Sequence, residues 1–204
     1  MQKQLQVMLQ LQDQMNTKVH PQWRQQQFAW FRALWVECGE LVDHYGYKWW
    51  KKQTPDMQQV QLEVVDIWHF GLSMLIDGRD AAVIAEEIAN TLSAELVPQR
   101  GVIEATEALV GSVLATKTFN VIDFWSLLTA VELDLDQLFK QYVGKNVLNM
   151  FRQDHGYKEG TYIKIWHGRE DNEHLSDILA AQVSVTENFA EQVYQALRSV
   201  YQTL

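Results

Sequence analysis

The chain has 204 residues, of which 47% are hydrophobic and only three are proline, so its composition excludes a disordered or fibrous protein and suits a buried core. A net charge of −9 argues against a nucleic-acid binder, and the N-terminus lacks the apolar run of a signal peptide or membrane span. The single cysteine, Cys38, excludes an internal disulfide framework and indicates the reducing cytoplasm.

Apolar residues recur at helical spacing along most of the chain. On the first predicted helix one stripe gathers seven residues: Leu5, Met8, Leu9, Gln12, Met15, Asn16 and Val19. Further helices are predicted at about 24–44, from a cap at Asp56 to about Ile76, and at about 81–97, 101–116 and 123–155. The glycine-punctuated segment that follows is interpreted as an ordered loop or a short extended segment, and a last helix begins at about residue 172. Because no linker or repeat interrupts this pattern, we predict one compact all-α domain, a helical bundle over residues 1–204.

Four carboxylates form two pairs at i, i+3 spacing: Glu37 with Glu40, and Glu63 with Asp66. Each pair lies on the apolar side of its helix, where carboxylates are unstable unless a cation lies between them. Ligation by oxygen alone favours Mg²⁺ or Mn²⁺ over zinc. We therefore predict a metal site, with two solvated acidic faces as the alternative. A di-iron bundle requires a Glu-x-x-His pair on each of two helices, and the chain offers only Asp66 with His69.

Two basic segments accompany these carboxylates. The first contains Lys48, Lys51 and Lys52, and the second contains Lys145, Arg152, Lys158, Lys164 and Arg169. Lys145, Asn149 and Arg152 follow i, i+4, i+7 spacing and line one helical face. A metal beside cations suits a polyphosphate, while a solvated basic surface is the alternative. No glycine-rich phosphate loop is present in the sequence, so side chains and metal are expected to hold the phosphates.

Two amides, Gln12 and Asn16, lie one turn apart on the apolar stripe of the first helix. They are either structural, bonded to each other or to nearby backbone, or they read the O4, N3–H and O2 edge of a pyrimidine.

Four stretches resemble the dimeric, all-α dUTPases, a branch of the all-α NTP pyrophosphohydrolases that also includes the MazG-type enzymes. They are LQDQMN, ECGELVDHYGYKWWKK, LEVVDIWHF and YVGKNVLNMFRQDHGYKEGTYIKIWHGREDNEHL. The resemblance says little about residues 77–135, which are variable in this family. One departure is Tyr47, because relatives usually have tryptophan at this position of a WKxWK motif.

The resemblance implies an all-α bundle with a four-helix metal-binding core that hydrolyses dUTP, and also dUDP, to dUMP and so keeps uracil out of DNA. It implies Mg²⁺ as the cofactor, with Mn²⁺ as a substitute, and a cytoplasmic homodimer. The implied metal ligands are Glu37, Glu40, Glu63 and Asp66, and either Glu40 or Glu37 is the expected general base.

The substrate residues implied by the resemblance fall into three groups. Gln12 and Asn16 match the uracil-binding amides, with Trp50 and Phe70 as aromatic walls. Asn149 and Tyr157 match deoxyribose contacts. The expected phosphate-binding residues are Lys145, Arg152, Lys158 and Lys164, with Lys51 also expected to bind substrate. A dCTPase, a broader NTP pyrophosphohydrolase and a catalytically inactive helical binding module are the alternatives.

Overall fold

The computed structural model describes residues 1–182 and 188–204, and these ranges are mostly helical. Their elements are α1 (Gln2–Val19), a 3₁₀ turn (Trp23–Gln26), α2 (Trp30–Tyr45), α3 (Met57–Leu75), α4 (Ala81–Ala94), α5 (Val102–Thr116), α6 (Val121–Ala130), α7 (Leu135–Asp154), β1 (Ile165–Trp166), β2 (Arg169–Glu170), α8 (Asp171–Ala181) and α9 (Phe189–Tyr201). The predicted all-α class is confirmed. Within the described residues, no helix combines the length and the apolar character needed to cross a membrane.

The chain forms two compact units, Met1–Leu138 (unit 1) and Phe139–Leu204 (unit 2). A single domain over residues 1–204 stays a prediction. In unit 1, α3 is buried along most of its length and packs against α2, α1 and α6. Its fully buried Trp68 stacks on Phe124 at a centroid distance of 4.6 Å. In unit 2, Phe151 packs edge-on against Trp166 and Tyr201.

The first helix follows its predicted stripe closely. Six of the seven stripe residues are buried in α1, and only Val19, in the last turn, is exposed. On α3, the predicted cap Asp56 accepts a hydrogen bond from the backbone N–H of Gln59 at 3.2 Å, which satisfies one of the N–H groups that a helix leaves without partners at its start. Gly71 lies against Phe119, since a Cβ there would stand 2.5 Å from the ring.

The predicted start of one helix and the predicted continuity of another are wrong. The helix predicted from residue 24 begins only at Trp30, because Gln27 after the 3₁₀ turn adopts a left-handed backbone with φ 50°. The long helix predicted over 123–155 is two helices, α6 and α7. Glu132 is left-handed (φ 59°), and Asp134 and Gln137 each accept a hydrogen bond from the other's backbone N–H. This reciprocal pair is a capping box, which starts a new helix rather than continuing the old one.

The remaining predicted elements are present, but their boundaries or number differ. The helix predicted at 81–97 ends at Ala94. The predicted extended segment contains the antiparallel pair β1 and β2, with Trp166 opposite Arg169. The single last helix is instead α8 and α9, and residues 183–187 of that prediction lie outside the described residues. In α9 the buried residues Phe189, Val193 and Leu197 recur every four residues and form its apolar side.

Candidate active site

Three carboxylates from α2 and α3 meet in unit 1. Glu37 lies on α2, Glu63 and Asp66 lie on α3, and one oxygen of each lies within 4.8 Å of the others. Glu63 is buried, while Glu37 and Asp66 are half-buried. Residues three apart share one side of a helix, so α3 presents its pair together and α2 supplies the third carboxylate. Three of the four predicted metal ligands are therefore brought together.

Glu37 is strongly perturbed by its surroundings in this cluster. Burial is the largest influence that raises the pKa of Glu37, from 4.5 to about 8, and the charges of Asp66 and Glu63 follow. A hydrogen bond with Glu63 and the charge of Glu40 act in the same direction. A divalent cation between the carboxylates would reverse this shift, because it favours the ionised form of every group. The donors are all hard oxygens, so the cluster fits Mg²⁺ or Mn²⁺.

Glu40 departs from the prediction that both pairs face the interior. It is exposed and lies outside the three-carboxylate cluster, although its charge still raises the pKa of Glu37. At about 100° per residue, Glu40 lies about 40° from Val36 on the helical wheel, and Val36 is 45% exposed. The apolar face of α2 therefore ends before Glu40. One turn later, His44, which was not predicted, places Nε2 3.6 Å from Oε1 of Glu63.

The two amides on α1 form a buried network with α3. Nε2 of Gln12 donates to Oδ1 of Asn16 and to Oγ of Ser73, and Nδ2 of Asn16 donates to the same Oγ, all at 3.0 Å. The Ser73 hydroxyl in turn donates to the backbone carbonyl of His69 at 3.0 Å. All four residues are buried. The amides are thus bonded to each other, as the structural alternative anticipated. Their hydrogen bonds to Ser73 were not predicted, because Ser73 lies on another helix.

A cavity of about 260 Å³ lies beside this network, and Ser73 forms part of its wall. Four aromatic rings and two cations also line it: Trp23, Phe28, Trp30, Phe31, Arg24 and Lys117. Trp30 stacks on Phe70 at a centroid distance of 6.2 Å. The predicted aromatic wall Phe70 therefore contacts a residue of the cavity lining. The cavity itself was not predicted, because its walls come from three stretches that are distant in sequence, namely residues 23–31, residues 73–77 and Lys117.

The other predicted aromatic wall lies in the segment after α2. Trp50 is 61% exposed and contacts Tyr47 and Trp49 edge-on, and Trp49 is 90% exposed. Lys51 is exposed. Tyr47, where relatives usually have tryptophan, therefore takes part in an aromatic cluster with the two tryptophans that follow it.

In unit 2, the residues predicted to bind phosphate or deoxyribose differ in their exposure to solvent. Lys158, Lys164 and Tyr157 are exposed, and Lys164 pairs with Glu170 at 3.0 Å. Lys145 is buried and donates to Oδ1 of Asn172 at 3.0 Å. The side chains of Lys158, Lys164 and Tyr157 therefore face solvent, whereas Lys145 is held by the first turn of α8.

Arg152 is held by partners that the sequence reasoning missed. Its Nε and Nη2 both donate to the carboxylate of Asp171 at 2.8 Å, and Nη1 donates to Oδ1 of Asn149 at 3.1 Å. Asp171 is fully buried and also accepts a hydrogen bond from the Tyr162 hydroxyl. Burial would raise the pKa of Asp171, but the hydrogen bonds and charge of Arg152 outweigh it and lower that pKa. The signal available in the sequence was an acid at the start of a helix, close to a basic block.

A family model described as dUTPase matches residues 4–157 of the chain, which is three quarters of its length. The matched range contains all four predicted metal ligands, both amides of α1 and the basic residues Lys145 and Arg152. It ends before Lys158 and Lys164. No curated protein is matched by the sequence.

Proposed function

The chain belongs to the all-α dUTPase family, a family of hydrolases that act on dUTP, and on that premise we propose that it converts dUTP, and also dUDP, to dUMP with Mg²⁺ as its cofactor. The observation that carries the proposal is the meeting of Glu37, Glu63 and Asp66 within 4.8 Å in a chain of this family. Family membership makes the chain a nucleoside triphosphate diphosphohydrolase, and the cluster supports the choice of a hard divalent cation.

In this proposal the residues of the cluster hold the cation. Glu37, Glu63 and Asp66 would bind Mg²⁺, or Mn²⁺ in its place. The predicted fourth ligand, Glu40, lies outside this cluster but close enough for its charge to act on Glu37. When bound, the ion neutralises phosphate oxygens and lowers the pKa of water. The reaction is a hydrolysis without any change of oxidation state: water cleaves the bond between the α- and β-phosphates, so dUTP gives dUMP and pyrophosphate, and dUDP gives dUMP and orthophosphate.

Glu40 is the residue we assign as general base. It is exposed and lies outside the three-carboxylate cluster, so its carboxylate remains available to accept a proton from water. Glu37, the other candidate, lies in the cluster, where burial and then the charges of Asp66 and Glu63 raise its pKa to about 8, and we therefore assign it as a ligand. A general base contributes about 10²–10⁴-fold to the rate.

The remaining predicted residues bind the rest of the nucleotide. We assign uracil recognition to Gln12 and Asn16, because their network borders an aromatic-walled cavity in unit 1. Phe70 and Trp50 are assigned as walls. In unit 2, Asn149 and Tyr157 are assigned to the deoxyribose, and the cations that neutralise phosphate charge are Lys145, Arg152, Lys158 and Lys164.

The test is a panel of nucleotides with the purified chain and Mg²⁺. Turnover of dUTP and dUDP to dUMP, with little turnover of dCTP or dTTP, supports the proposal. Equal turnover of all four favours a broad pyrophosphohydrolase, preference for dCTP favours a dCTPase, and no turnover with Mg²⁺ or Mn²⁺ favours a binding module. Each of those results contradicts the proposal.

Two variants separate the two carboxylate roles. Glu40→Gln should reduce kcat by about 10²-fold or more while the affinity for Mg²⁺, measured by calorimetry, changes little. Glu63→Gln should weaken Mg²⁺ binding itself. Glu107→Gln, an exposed substitution on α5, is the matched control and should change neither. Near wild-type turnover of the Glu40 variant would contradict its assignment.

We also propose that the chain acts as a cytoplasmic homodimer. The family resemblance supports the dimer, and the single buried thiol of Cys38 suits a reducing compartment. Light scattering on the eluting peak of a size-exclusion column tests the dimer, and a monomeric mass under assay conditions would contradict it.

A further inference from the structure

The cavity of about 260 Å³ in unit 1 is walled on its inner side by aromatic and apolar side chains. Among them are Trp23, which is 3% exposed, and the half-buried Trp30 and Met74. Trp30 packs edge-on against both Trp23 and Phe28, at centroid distances of 6.1 and 5.6 Å. Aromatic rings bind further rings edge-on or with an offset, and an apolar cavity of about 150 Å³ already holds benzene. The space therefore suits one six-membered ring with a substituent.

The buried polar groups of the described cavity wall already have partners. The indole N–H of Trp23 donates to Oδ1 of Asp13 at 3.1 Å. The hydroxyl of Ser73 donates to the carbonyl of His69 and accepts from the two amides of α1. A hydroxyl has one hydrogen and two acceptor lone pairs, so these three bonds use its whole capacity. Neither amide lines the cavity. A ligand here is therefore recognised by the faces of its ring and by the group that it presents at the surface.

The exposed residues of the lining, which we call the rim, include two cations, Arg24 and Lys117, and one carboxylate, Asp77. Arg24 pairs with the carboxylate of Asp13, and Asp77 accepts a hydrogen bond from the guanidinium of Arg79 at 2.7 Å. Lys117 forms no ion pair with any residue that the structure describes. In a chain of net charge −9, the rim thus keeps one cation beside an aromatic cavity, and this favours an anionic ligand.

Lys117 is held at the rim by its backbone and by its side chain. It ends α5 in a left-handed conformation (φ 59°), with its N–H bonded to the carbonyl of Val113 at 2.8 Å. Its ammonium donates to the carbonyl of Leu114 at 2.6 Å and lies 4.4 Å from the ring centre of Phe31, another lining residue. This is a cation–π geometry. An ammonium has three N–H groups, and one of them serves Leu114, so an anion at the rim can replace water on the others.

We propose that this cavity is a binding site for a small aromatic anion, a single planar ring that carries a carboxylate or phosphate group. The ring lies against the indoles of Trp23 and Trp30, and the anionic group binds the ammonium of Lys117. The site adjoins the nucleotide site of the proposed function without being part of it. The two meet where Trp30 stacks on Phe70 at a centroid distance of 6.2 Å.

Fluorine nuclear magnetic resonance tests the site, with 4-fluorobenzoate as the probe and the purified chain. The probe should bind saturably with a Kd on the order of 1 mM, as expected of a ligand with so few atoms. 4-Fluorobenzyl alcohol, which has the ring without the charge, should bind about fivefold more weakly. Trifluoroacetate, which has the charge without the ring, should show no saturable binding. Displacement of the probe by phenyl phosphate at lower concentration than by benzoate assigns the anion as a phosphate, and the reverse order assigns it as a carboxylate.

Variants of the rim test the part played by its cation. Lys117→Gly removes the ammonium at a position whose left-handed backbone favours glycine, so the fold is kept. It should weaken binding of 4-fluorobenzoate about fivefold and change that of 4-fluorobenzyl alcohol by less than about twofold. Lys117→Arg keeps the charge and should keep the affinity. Lys52→Gly removes an exposed lysine outside the lining and is the matched control. Phe28→Ala removes an aromatic wall and should weaken binding of both ring probes.

Three results would overturn the proposal. The first is the absence of saturable binding of 4-fluorobenzoate, and the second is equal affinity of wild type and Lys117→Gly for this probe. The third is displacement of the probe by deoxyuridine, which is uncharged, because the cavity would then belong to the nucleoside site. None of these measurements involves turnover, so the proposed function is tested separately by the nucleotide panel.

Discussion

Glu37 offers a direct test of the carboxylate cluster, because its raised pKa links stability to pH. Below about pH 4.5 its carboxyl is protonated in both the folded and the unfolded chain. Between pH 4.5 and about 8 the unfolded chain releases the proton while the folded chain keeps it. The free energy of unfolding of the metal-free protein should therefore fall as the pH rises through this window, and level off above it.

The size of this effect follows from the shift. At 1.36 kcal/mol per pKa unit, a rise from 4.5 to about 8 corresponds to a ceiling of about 5 kcal/mol. Glu37 is only half-buried, and solvent screening reduces the contribution of such a group to roughly 1–2 kcal/mol. Glu37→Gln removes the titrating group, so at pH 8 the metal-free variant should be more stable than wild type by that amount, and at pH 5 the two should be close.

Thermal unfolding in a chelating buffer measures the difference. For a chain of this size, 1 kcal/mol corresponds to about 2–4 °C in Tm, so Glu37→Gln should raise Tm at pH 8 by roughly 2–8 °C. Saturating Mg²⁺, at about one hundred times its Kd, should stabilise wild type by about 2.7 kcal/mol, and the variant by less. Glu107→Gln controls for the loss of an exposed carboxylate. A pH-independent gap between wild type and Glu37→Gln, or equal stabilisation of both by Mg²⁺, would refute the argument.

Two further substitutions test the packing of the two units. Asp171→Asn removes the buried carboxylate that holds the Arg152 guanidinium and should lower the free energy of unfolding, measured in urea, by about 3–5 kcal/mol. Asp177→Asn, on the exposed side of α8, should leave the free energy of unfolding almost unchanged, so similar losses for both would contradict the buried ion pair. Gly71→Ala places a methyl group 2.5 Å from the ring of Phe119 and should lower the free energy of unfolding by about 1–3 kcal/mol in the same assay. Gly111→Ala, with open space around its Cβ position, is the control and should raise the free energy of unfolding by up to about 1 kcal/mol. An unchanged free energy of unfolding in Gly71→Ala would contradict the close packing.

Local signals in the sequence were enough for much of the helical framework. The 3.6-residue stripe of α1 predicted its buried residues through Asn16, since a helix buries whichever face carries the apolar side chains. Asp56 was recognisable as a cap because a short acceptor precedes an apolar run. Glu63 and Asp66 were correctly predicted to lie on one side of α3, because residues three apart share a side of a helix. Each of these features depends on residues within one or two turns of each other.

The features that escaped prediction depend on distant residues or on competing local signals. Helical periodicity continues across residues 131–134, and only the capping box of Asp134 and Gln137 shows that a new helix begins there. Ser73 is 61 residues from Gln12 in sequence, so the hydrogen bond between them depends on how α1 packs against α3. The exposure of Glu40 depends on which part of α2 the other helices cover. A helical wheel of α2 alone does not give the positions of those helices.

The three-carboxylate cluster and the amide network both include residues of α3, and this fixes the distance between them. Asp66 and Ser73 are seven residues apart on α3, so they lie on nearly the same side of the helix and about 10 Å apart along its axis. Phe70 lies between them on the same side. Because α3 is continuous from Met57 to Leu75 and largely buried, this spacing is rigid. In the proposed function, a nucleotide whose phosphates are bound near Asp66 would place its base near the level of Ser73. We therefore expect a mismatched base edge to displace the phosphates from the carboxylates, and so to lower kcat as well as to raise KM.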